Sequence, residues 1–245
     1  EFINVAAHEL RTPIQPILGL SELVRSKLKV EDRELIQFLD IINRNAKRLQ
    51  RLTEDILDVT KIESQALKLR LEKANLNDLI SDIIGDYTGS EIGKLKSNVK
   101  IRFEPNDKDS NIFVNVDRGR IAQIISNLIS NALKFTEEGS ITVAINNNIS
   151  KDNNINNQVI VSVKDTGTGI DPEILPRLFT KFATKSDVGT GLGLYISKST
   201  IEAHGGKIWA ENNNKNNKNN WDEQTRRGST FYFTLPSSSS SPSPP

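Results

Sequence analysis

The sequence is organised around Phe2–Pro13, FINVAAHELRTP, which carries one of the chain's two histidines directly before a glutamate. Imidazole titrates near neutrality and its free nitrogen is a competent nucleophile, so His8 is a candidate for covalent chemistry. Glu9 could fix the tautomer of the ring or take its proton during attack. A surface histidine beside an ion-paired glutamate is the plainer interpretation of these two residues alone, and the rest of the chain argues against it.

Apolar residues at helical spacing continue from this stretch to Leu28 and predict a first helix. We expect a bend just beyond His8, because Pro13 and Pro16 each remove a backbone donor and crowd the carbonyl four residues back. After a charged connection, a second helical run carries two rows of residues spaced by seven. The rows are Phe38, Asn45, Leu52 and Val59, and Ile42, Leu49 and Ile56.

Two helices joined by a short link predict an antiparallel helical hairpin over residues 1–66. A hairpin has too little core to be stable alone, so we expect two copies to form a dimeric four-helix bundle. The alternative is a hairpin that packs only on the second domain of its own chain.

The composition changes after Ala66, and the remainder predicts an α/β domain over residues 67–236. Helices are predicted at 76–92, 117–134 and 192–204, with Asp117 as an N-cap and Gly205-Gly206 as a C-terminal stop. Strands are predicted at 67–72, 99–103, 112–116, 140–145, 158–164, 207–210 and 229–235. Two asparagine-rich segments, 146–157 and 212–220, are interpreted as solvated hairpin insertions or, alternatively, as partner-binding loops. The Ser/Pro tail, 237–245, is predicted to be disordered.

Composition limits the possible partners. A formal net charge of +1 gives no basis for a nucleic-acid surface, and zero cysteines exclude disulfides and thiolate metal sites. No apolar run approaches the length of a membrane span. The chain begins in mid-pattern, so we expect a fragment from the cytoplasmic portion of a longer protein, which could be anchored in a membrane at full length. Any membrane contact would come only through segments absent from this fragment.

Three polar residues share one face of the predicted helix 117–134, since Asn127, Asn131 and Lys134 are spaced at i, i+4 and i+7. Amides and an amine on one face suit a divalent cation and phosphate oxygens. The plain alternative is a solvated polar face.

Two glycine-rich segments suit a nucleotide. Asp165-Thr166-Gly167-Thr168-Gly169 follows a strand, so the Asp165 carboxylate could accept a hydrogen bond from an adenine amine while the glycines approach the base. The alternative interpretation of the same pattern is an ordinary turn. Gly189-Thr190-Gly191-Leu192-Gly193-Leu194 precedes a helix and would expose N–H groups to an anion. It fits neither the Rossmann nor the P-loop pattern.

The aromatic stretch Leu178–Phe182 precedes Ala183–Gly189, which could be a lid over a nucleotide or a plain surface loop.

In this order, the five patterns resemble the H, N, G1, F and G2 boxes of the sensor histidine kinases of two-component signalling, over Phe2–Pro236. The resemblance implies that residues 1–66 form the dimerisation and phosphoacceptor domain. It implies that residues 67–236 form a Bergerat-type ATP-binding domain, an α/β sandwich. The activity implied is an ATP-dependent protein histidine kinase that passes its phosphoryl group to an aspartate in a response regulator receiver domain.

The resemblance also implies a role for each matched position. His8 would be the phosphoacceptor and Glu9 its base, while Thr12 completes an E-x-x-T pattern tied to dephosphorylation of the regulator. Asn131 would ligate Mg²⁺. Lys181 stands where the family often carries arginine, so Lys181 and Lys185 are both candidates to meet the γ-phosphate. The residues implied in ATP binding are Asn127, Asn131, Lys134, Asp165, Gly167, Gly169, Lys181, Lys185, Gly189, Gly191, Leu192, Gly193, Leu194 and Thr230. His204 resembles a common helix ending and is expected to be structural.

Two rival classes of protein fit this sequence less well. Chaperone-like and topoisomerase-like ATP hydrolases resemble this fold but carry a glutamate four residues before the metal-binding asparagine, where it activates water. This chain has Asn127 there, and an amide cannot act as a base. A non-catalytic dimeric scaffold would need a damaged histidine or phosphate motif, and neither motif is damaged.

Overall fold

A computed structural model describes residues 2–28, 32–89, 98–105, 111–148, 158–183, 190–213 and 228–236, with the side chains of the first helix described from Ile14 onward. Two helices come first: α1 (Phe2–Lys27) and α2 (Arg33–Glu63). The α/β part contains α3 (Leu76–Gly89), α4 (Arg118–Phe135) and α5 (Gly193–Ala203). Its strands are β1 (Glu72–Asn75), β2 (Val99–Glu104), β3 (Phe113–Val116), β4 (Gly139–Asn148), β5 (Gln158–Asp165), β6 (Ile208–Asn212) and β7 (Ser229–Pro236).

Helices α1 and α2 form the expected antiparallel hairpin. Ile14 and Leu18 of α1 are buried against Ala46 of α2. Further along, the Ser21 hydroxyl donates to Asn43 Oδ1 at 2.5 Å, a buried polar contact between the two helices. The α1 helix runs without interruption across Pro13 and Pro16, and the bend there stays a prediction.

The hairpin leaves most of its seam uncovered. In α2, Phe38 is 53% exposed and Ile56 41%, and Ile42 and Leu49 fall between these values. In α1, Leu20 is 62% exposed. Apolar side chains in a continuous stripe are seldom left in water, and none of the described residues covers this face, so we expect it to pack against another surface.

The α/β part is a mixed sheet with helices packed on it. The five-stranded sheet has the order β2-β4-β5-β7-β6, in which β2 and β4 are parallel and the other neighbours antiparallel. Strands β1 and β3 form a separate antiparallel pair. Alternate residues of β4, β5 and β7 meet α3 and α4 in one apolar core. The expected fold class, a helical hairpin followed by an α/β sandwich, is confirmed.

The predicted start of α4 is also confirmed. Asp117 is its N-cap, and its carboxylate accepts from the backbone N–H of Arg120 at 3.1 Å and of Arg70 at 3.0 Å. Burial opposes the charged carboxylate, but these N–H groups outweigh it and lower the pKa of Asp117. The Asp117 N–H itself donates to Nε2 of His204 at 3.0 Å, while Nδ1 lies 2.8 Å from the Thr200 carbonyl. His204 therefore joins two helix ends, in keeping with its expected structural role.

Two sequence-based boundaries were wrong. The strand predicted at 67–72 begins only at Glu72, and the structure shows residues 67–71 as irregular chain that is not paired with a strand. Their alternation reflects partial burial of Leu67 and Leu69, while the Arg70 N–H binds the Asp117 side chain rather than a strand. The first asparagine-rich segment is shorter than predicted, because residues 146–148 belong to β4 and pair with β5. Residues 149–157, 214–227 and 237–245, and the predicted end of α3 beyond Gly89, lie outside the described residues.

Candidate functional site

The amide face of α4 meets the start of α5. Asn127 Nδ2 donates to the Ser197 hydroxyl at 3.1 Å, and this hydroxyl donates to the Gly193 carbonyl at 2.8 Å. A Cβ at Gly193 would lie 2.7 Å from Asn127 Oδ1, so only glycine allows this approach. The structure thus brings together two of the predicted motifs. Sequence reasoning missed Ser197, which lies one helical turn beyond the glycine-rich motif.

Asn131 and Lys134 continue the same face of α4, and both are half-buried. Burial lowers the pKa of Lys134, and the positive charge of Arg48 on α2 lowers it further. The Lys134 amine lies 5.2 Å from the centre of the Phe135 ring. A partly desolvated amine beside a second cation is favourable for an anion.

Asp165 ends β5 and is 3% exposed. Its Oδ1 accepts from the backbone N–H of Gly167 at 2.8 Å and of Ser229 at 3.2 Å, and its Oδ2 accepts from the Ser229 hydroxyl at 2.6 Å. These donors fix the carboxylate in one orientation. Ser229 was missed, although it directly precedes Thr230 in the predicted motif.

The loop after Asp165 packs against the end of α4. The Thr168 N–H donates to the Phe135 carbonyl at 3.1 Å, and a Cβ at Gly167 would collide with this carbonyl. The loop therefore lies beside the helix that carries the amide face. Thr230 is 6% exposed, and its hydroxyl donates to Asn213 Oδ1 at 2.6 Å.

The glycine-rich motif before α5 is described from Thr190 onward. Gly191 has a φ of +69°, and a Cβ there would lie 2.7 Å from the Phe182 Cα, so the residues that flank the predicted lid approach each other closely. Leu192 is 1% exposed and Leu194 packs on the core, so both leucine side chains anchor the motif. Gly189 and Lys185 lie outside the described residues.

Lys181 lies at the boundary between the hairpin and the α/β part. Its amine forms an ion pair with Glu63 at the end of α2, and this hydrogen bond raises the pKa of Lys181. The amine also lies 5.2 Å from the centre of the Tyr195 ring on α5.

Two buried acids of α2 make further contacts across the same boundary. Asp58 binds the Arg120 guanidinium through both oxygens, at 2.5 and 2.9 Å, which raises the pKa of Arg120. Asp55 Oδ2 accepts from the Thr190 hydroxyl at 2.8 Å, but burial still raises the pKa of Asp55. Sequence reasoning missed both acids. Their spacing of three, off the apolar rows of α2, was the available signal.

The remaining candidates lie on α1. His8, Glu9 and Thr12 fall within this continuous helix, but their side chains are outside what the structure describes. The described part of the site thus combines a fixed carboxylate, an amide face, an amine and a glycine-led helix start. This set can bind a flat base with an exocyclic amine at one end and phosphates at the other.

Comparisons with known proteins agree with this interpretation. Residues 116–239 match the family of histidine kinase-, DNA gyrase B- and HSP90-like ATPases, and residues 1–65 match the His Kinase A phosphoacceptor domain. The chain is 31% identical to the sensor protein SrrB of Staphylococcus aureus, over 96% of this chain and 38% of that protein. The chain therefore spans less than half the length of this relative.

Two solved structures share the arrangement. One is full-length ShkA in complex with AMPPNP, with a TM-score of 0.72 and 26% identity, covering 96% of this chain and 45% of that one. The other is the histidine kinase ThkA in complex with the response regulator protein TrrA, with a TM-score of 0.59 and 30% identity, covering 96% and 60%. The chain belongs to the histidine kinase family. It corresponds to the catalytic core of a sensor histidine kinase. In the part of the chain that the structure describes, no helix is long and apolar enough to cross a membrane.

Proposed function

We propose that the chain is an ATP-dependent protein histidine kinase that phosphorylates its own His8 and passes the phosphoryl group to an aspartate of a response regulator. The observation that carries the proposal is the convergence of three motifs on one helix: the Asp165 loop contacts the end of α4, and the start of α5 contacts the amide face of α4. The complexes that ShkA forms with AMPPNP and ThkA with TrrA support the choice of nucleotide and partner.

Each end of the site suits one end of ATP. Asp165 would accept from the adenine amine, with Gly167, Gly169 and Thr230 around the base. Lys134 would meet phosphate oxygens beside Asn127 and Asn131. The glycine-rich motif at the start of α5 would offer its backbone N–H groups to phosphate. Its residues implied in ATP binding are Gly189, Gly191, Leu192, Gly193 and Leu194. Lys181 and Lys185 are the candidates for the γ-phosphate.

Magnesium fits this site as the companion of the nucleotide. The described residues hold no group of three His, Cys, Asp or Glu side chains that could bind a metal alone. Mg²⁺ commonly takes one or two protein oxygens together with substrate phosphates and waters. The amide oxygen of Asn131 would supply one such ligand, and the ion would neutralise phosphate charge during transfer.

The proposed chemistry at α1 uses two neighbouring residues. A ring nitrogen of His8 attacks the γ-phosphorus, an N–P bond forms, and the P–O bond to ADP breaks. Glu9 accepts the imidazole proton. The regulator's aspartate then takes the phosphoryl group and restores His8. Thr12, one helical turn after His8, is proposed to hold a water in line with the regulator's phosphoaspartate during dephosphorylation.

The organisation around this chemistry is also proposed. Residues 1–66 form a homodimeric four-helix bundle, and residues 67–236 bind ATP. The exposed seam of α1 and α2 supports the dimer. We place this core in the cytoplasm, where ATP and response regulators occur.

Incubation with γ-labelled ATP and Mg²⁺ tests the activity. We expect a label that is acid-labile and alkali-stable, as phosphohistidine is. His8→Gln should abolish labelling while ATP binding persists, because the two sites lie in different domains. An unchanged label on the variant would remove His8 as the acceptor, and release of phosphate without protein labelling would favour an ATP hydrolase.

A further inference from the structure

Asn212, the last residue of β6, binds the loop that follows Asp165. Its Oδ1 accepts from the Ile170 N–H at 2.7 Å, and its Nδ2 donates to the Ile170 carbonyl at 2.8 Å. One carboxamide thus satisfies both backbone groups of one residue, as a neighbouring strand would. The loop is thereby fixed at its far end.

Asn213 binds the near end of the same loop. Its Nδ2 donates to the Asp165 carbonyl at 2.7 Å, and its Oδ1 accepts from the Thr230 hydroxyl at 2.6 Å. Its backbone N–H donates to the Gly228 carbonyl at 3.1 Å. Two adjacent amides therefore hold both ends of one loop, and the second also holds a residue proposed to approach the base.

The surrounding backbone is fitted to these two amides. A Cβ at Gly169 would lie 2.9 Å from Asn212 Oδ1, and one at Gly228 would lie 2.0 Å from the Asp165 carbonyl oxygen and 2.5 Å from Asn213 Nδ2, which donates to that carbonyl. Both glycines have positive φ, +79° and +106°. A larger residue at Gly169 would displace the Asn212 amide, and one at Gly228 would disturb the contact between Asn213 and the Asp165 carbonyl. The asparagines are thus more than the start of the solvated insertion that the sequence predicted.

We propose that Asn212 and Asn213 are positioning residues for base recognition, holding the Asp165–Ile170 loop in the shape that receives adenine. The inference rests on the proposed function, because it assigns the base of ATP to this loop. The Asp165 carboxylate accepts one of its hydrogen bonds from its own loop, through the Gly167 N–H, and the others from Ser229 on β7. A displaced loop would weaken the contact with the adenine amine and leave the phosphate contacts on α4 and α5 unchanged.

The test compares ATP with inosine triphosphate, which has the same ribose and phosphates but carries a carbonyl where adenine has its amine. The variants are Asn212→Asp and Asn213→Asp, each nearly the same size as the original residue. Each still accepts its hydrogen bond, but neither can donate to the loop, and each places a carboxylate against a backbone carbonyl. Asn115→Asp is the matched control, because Asn115 is an exposed position on β3.

Dissociation constants for both nucleotides are measured by calorimetry, alongside the Tm of each variant. We expect wild type and Asn115→Asp to prefer ATP equally, and Asn212→Asp and Asn213→Asp each to lose about fivefold or more of that preference. A partly unfolded sample lowers the binding capacity for both nucleotides equally, so the ratio reports positioning and not stability.

Either folded variant with the wild-type ratio would overturn the role of that asparagine, and both together would overturn the proposal. Unfolding of both variants would make the amides structural supports and would overturn it equally. Wild-type protein that binds neither nucleotide would overturn the proposed function itself, and the inference with it.

Discussion

Two faces of α2 show opposite burial patterns. The face towards the α/β part carries acids, and Asp55 and Asp58 are 8% and 7% exposed. The other face carries large apolar side chains, and Phe38 and Leu49 are 53% and 44% exposed. In a monomeric globular protein the apolar face would be the buried one. This difference supports the proposed arrangement, in which the acids of α2 bind the α/β part of the same chain and the apolar seam packs against a second copy.

The largest expected effect is on the apolar face. Ile42→Asp with Leu49→Asp should convert a dimer into a monomer, because each apolar side chain contributes roughly 1.5–3 kcal/mol when fully buried. The dissociation constant should rise by about a thousandfold or more. Sedimentation equilibrium of the whole chain measures this change.

Leu71→Asp is the control for this experiment, since Leu71 is 53% exposed but lies outside the hairpin. It should leave the assembly unchanged. A wild-type chain that is monomeric at tens of micromolar would remove the dimer altogether, and would leave the exposed seam to another partner.

The next effect is on the acidic face, where Asp58→Asn should loosen the α/β part from α2. The carboxylate accepts two charge-assisted hydrogen bonds from Arg120, which an amide can only partly replace. We expect a loss of about 2 kcal/mol in the contact between the two parts. Small-angle scattering should show a larger radius of gyration, and residues 64–71 should be cleaved faster by protease.

A double-mutant cycle with Arg120→Met isolates this pair. The two changes together should cost little more than either alone, because each removes the same contact. Additive effects would show that Asp58 and Arg120 act independently, despite their bidentate geometry.

Replacing the neighbouring acid, Asp55, should raise stability, whereas replacing Asp58 weakens the contact between the two parts. Burial raises the pKa of Asp55, so the folded protein binds its proton more tightly than the unfolded chain does. The unfolded state then carries fewer protons, and stability falls as pH rises through and above the ordinary carboxyl range. Asp55→Asn should remove this slope and raise Tm at pH 7 by a few degrees, because its amide oxygen still accepts from Thr190.

Urea unfolding at pH 4, 5, 6 and 7 measures the slope for both proteins. Equal slopes for wild type and Asp55→Asn would show that the buried carboxyl does not control this pH dependence. Asp55→Ala would separate the charge from the hydrogen bond, since it removes both.

Sequence reasoning predicted what depends on local pattern. The helical periodicity of α1 and α2, the Asp117 cap and the Gly205-Gly206 stop are all determined within a few residues. It missed what depends on distant partners: Asp58 meets Arg120 across 62 positions, and Ser229 meets Asp165 across 64. The strand predicted at 67–72 failed for the same reason, because alternation specifies a half-buried segment but not a strand that pairs with it.

The smallest effect concerns Lys181, whose ion pair with Glu63 is more exposed than the ion pair between Asp58 and Arg120. Exposed pairs contribute little to stability, so Glu63→Gln should leave Tm unchanged. It should nevertheless affect the nucleotide, because Lys181 is proposed to meet the γ-phosphate and Glu63 competes with that phosphate for the same amine. We expect ATP to bind about twofold more tightly to Glu63→Gln at low salt, with the gain disappearing at high salt as the competing charge is screened. Binding of ADP, which lacks the γ-phosphate, is the control and should not change. An equal gain for ADP would place Lys181 elsewhere along the phosphates, and weaker ATP binding would show that Glu63 orients Lys181 rather than competing for it.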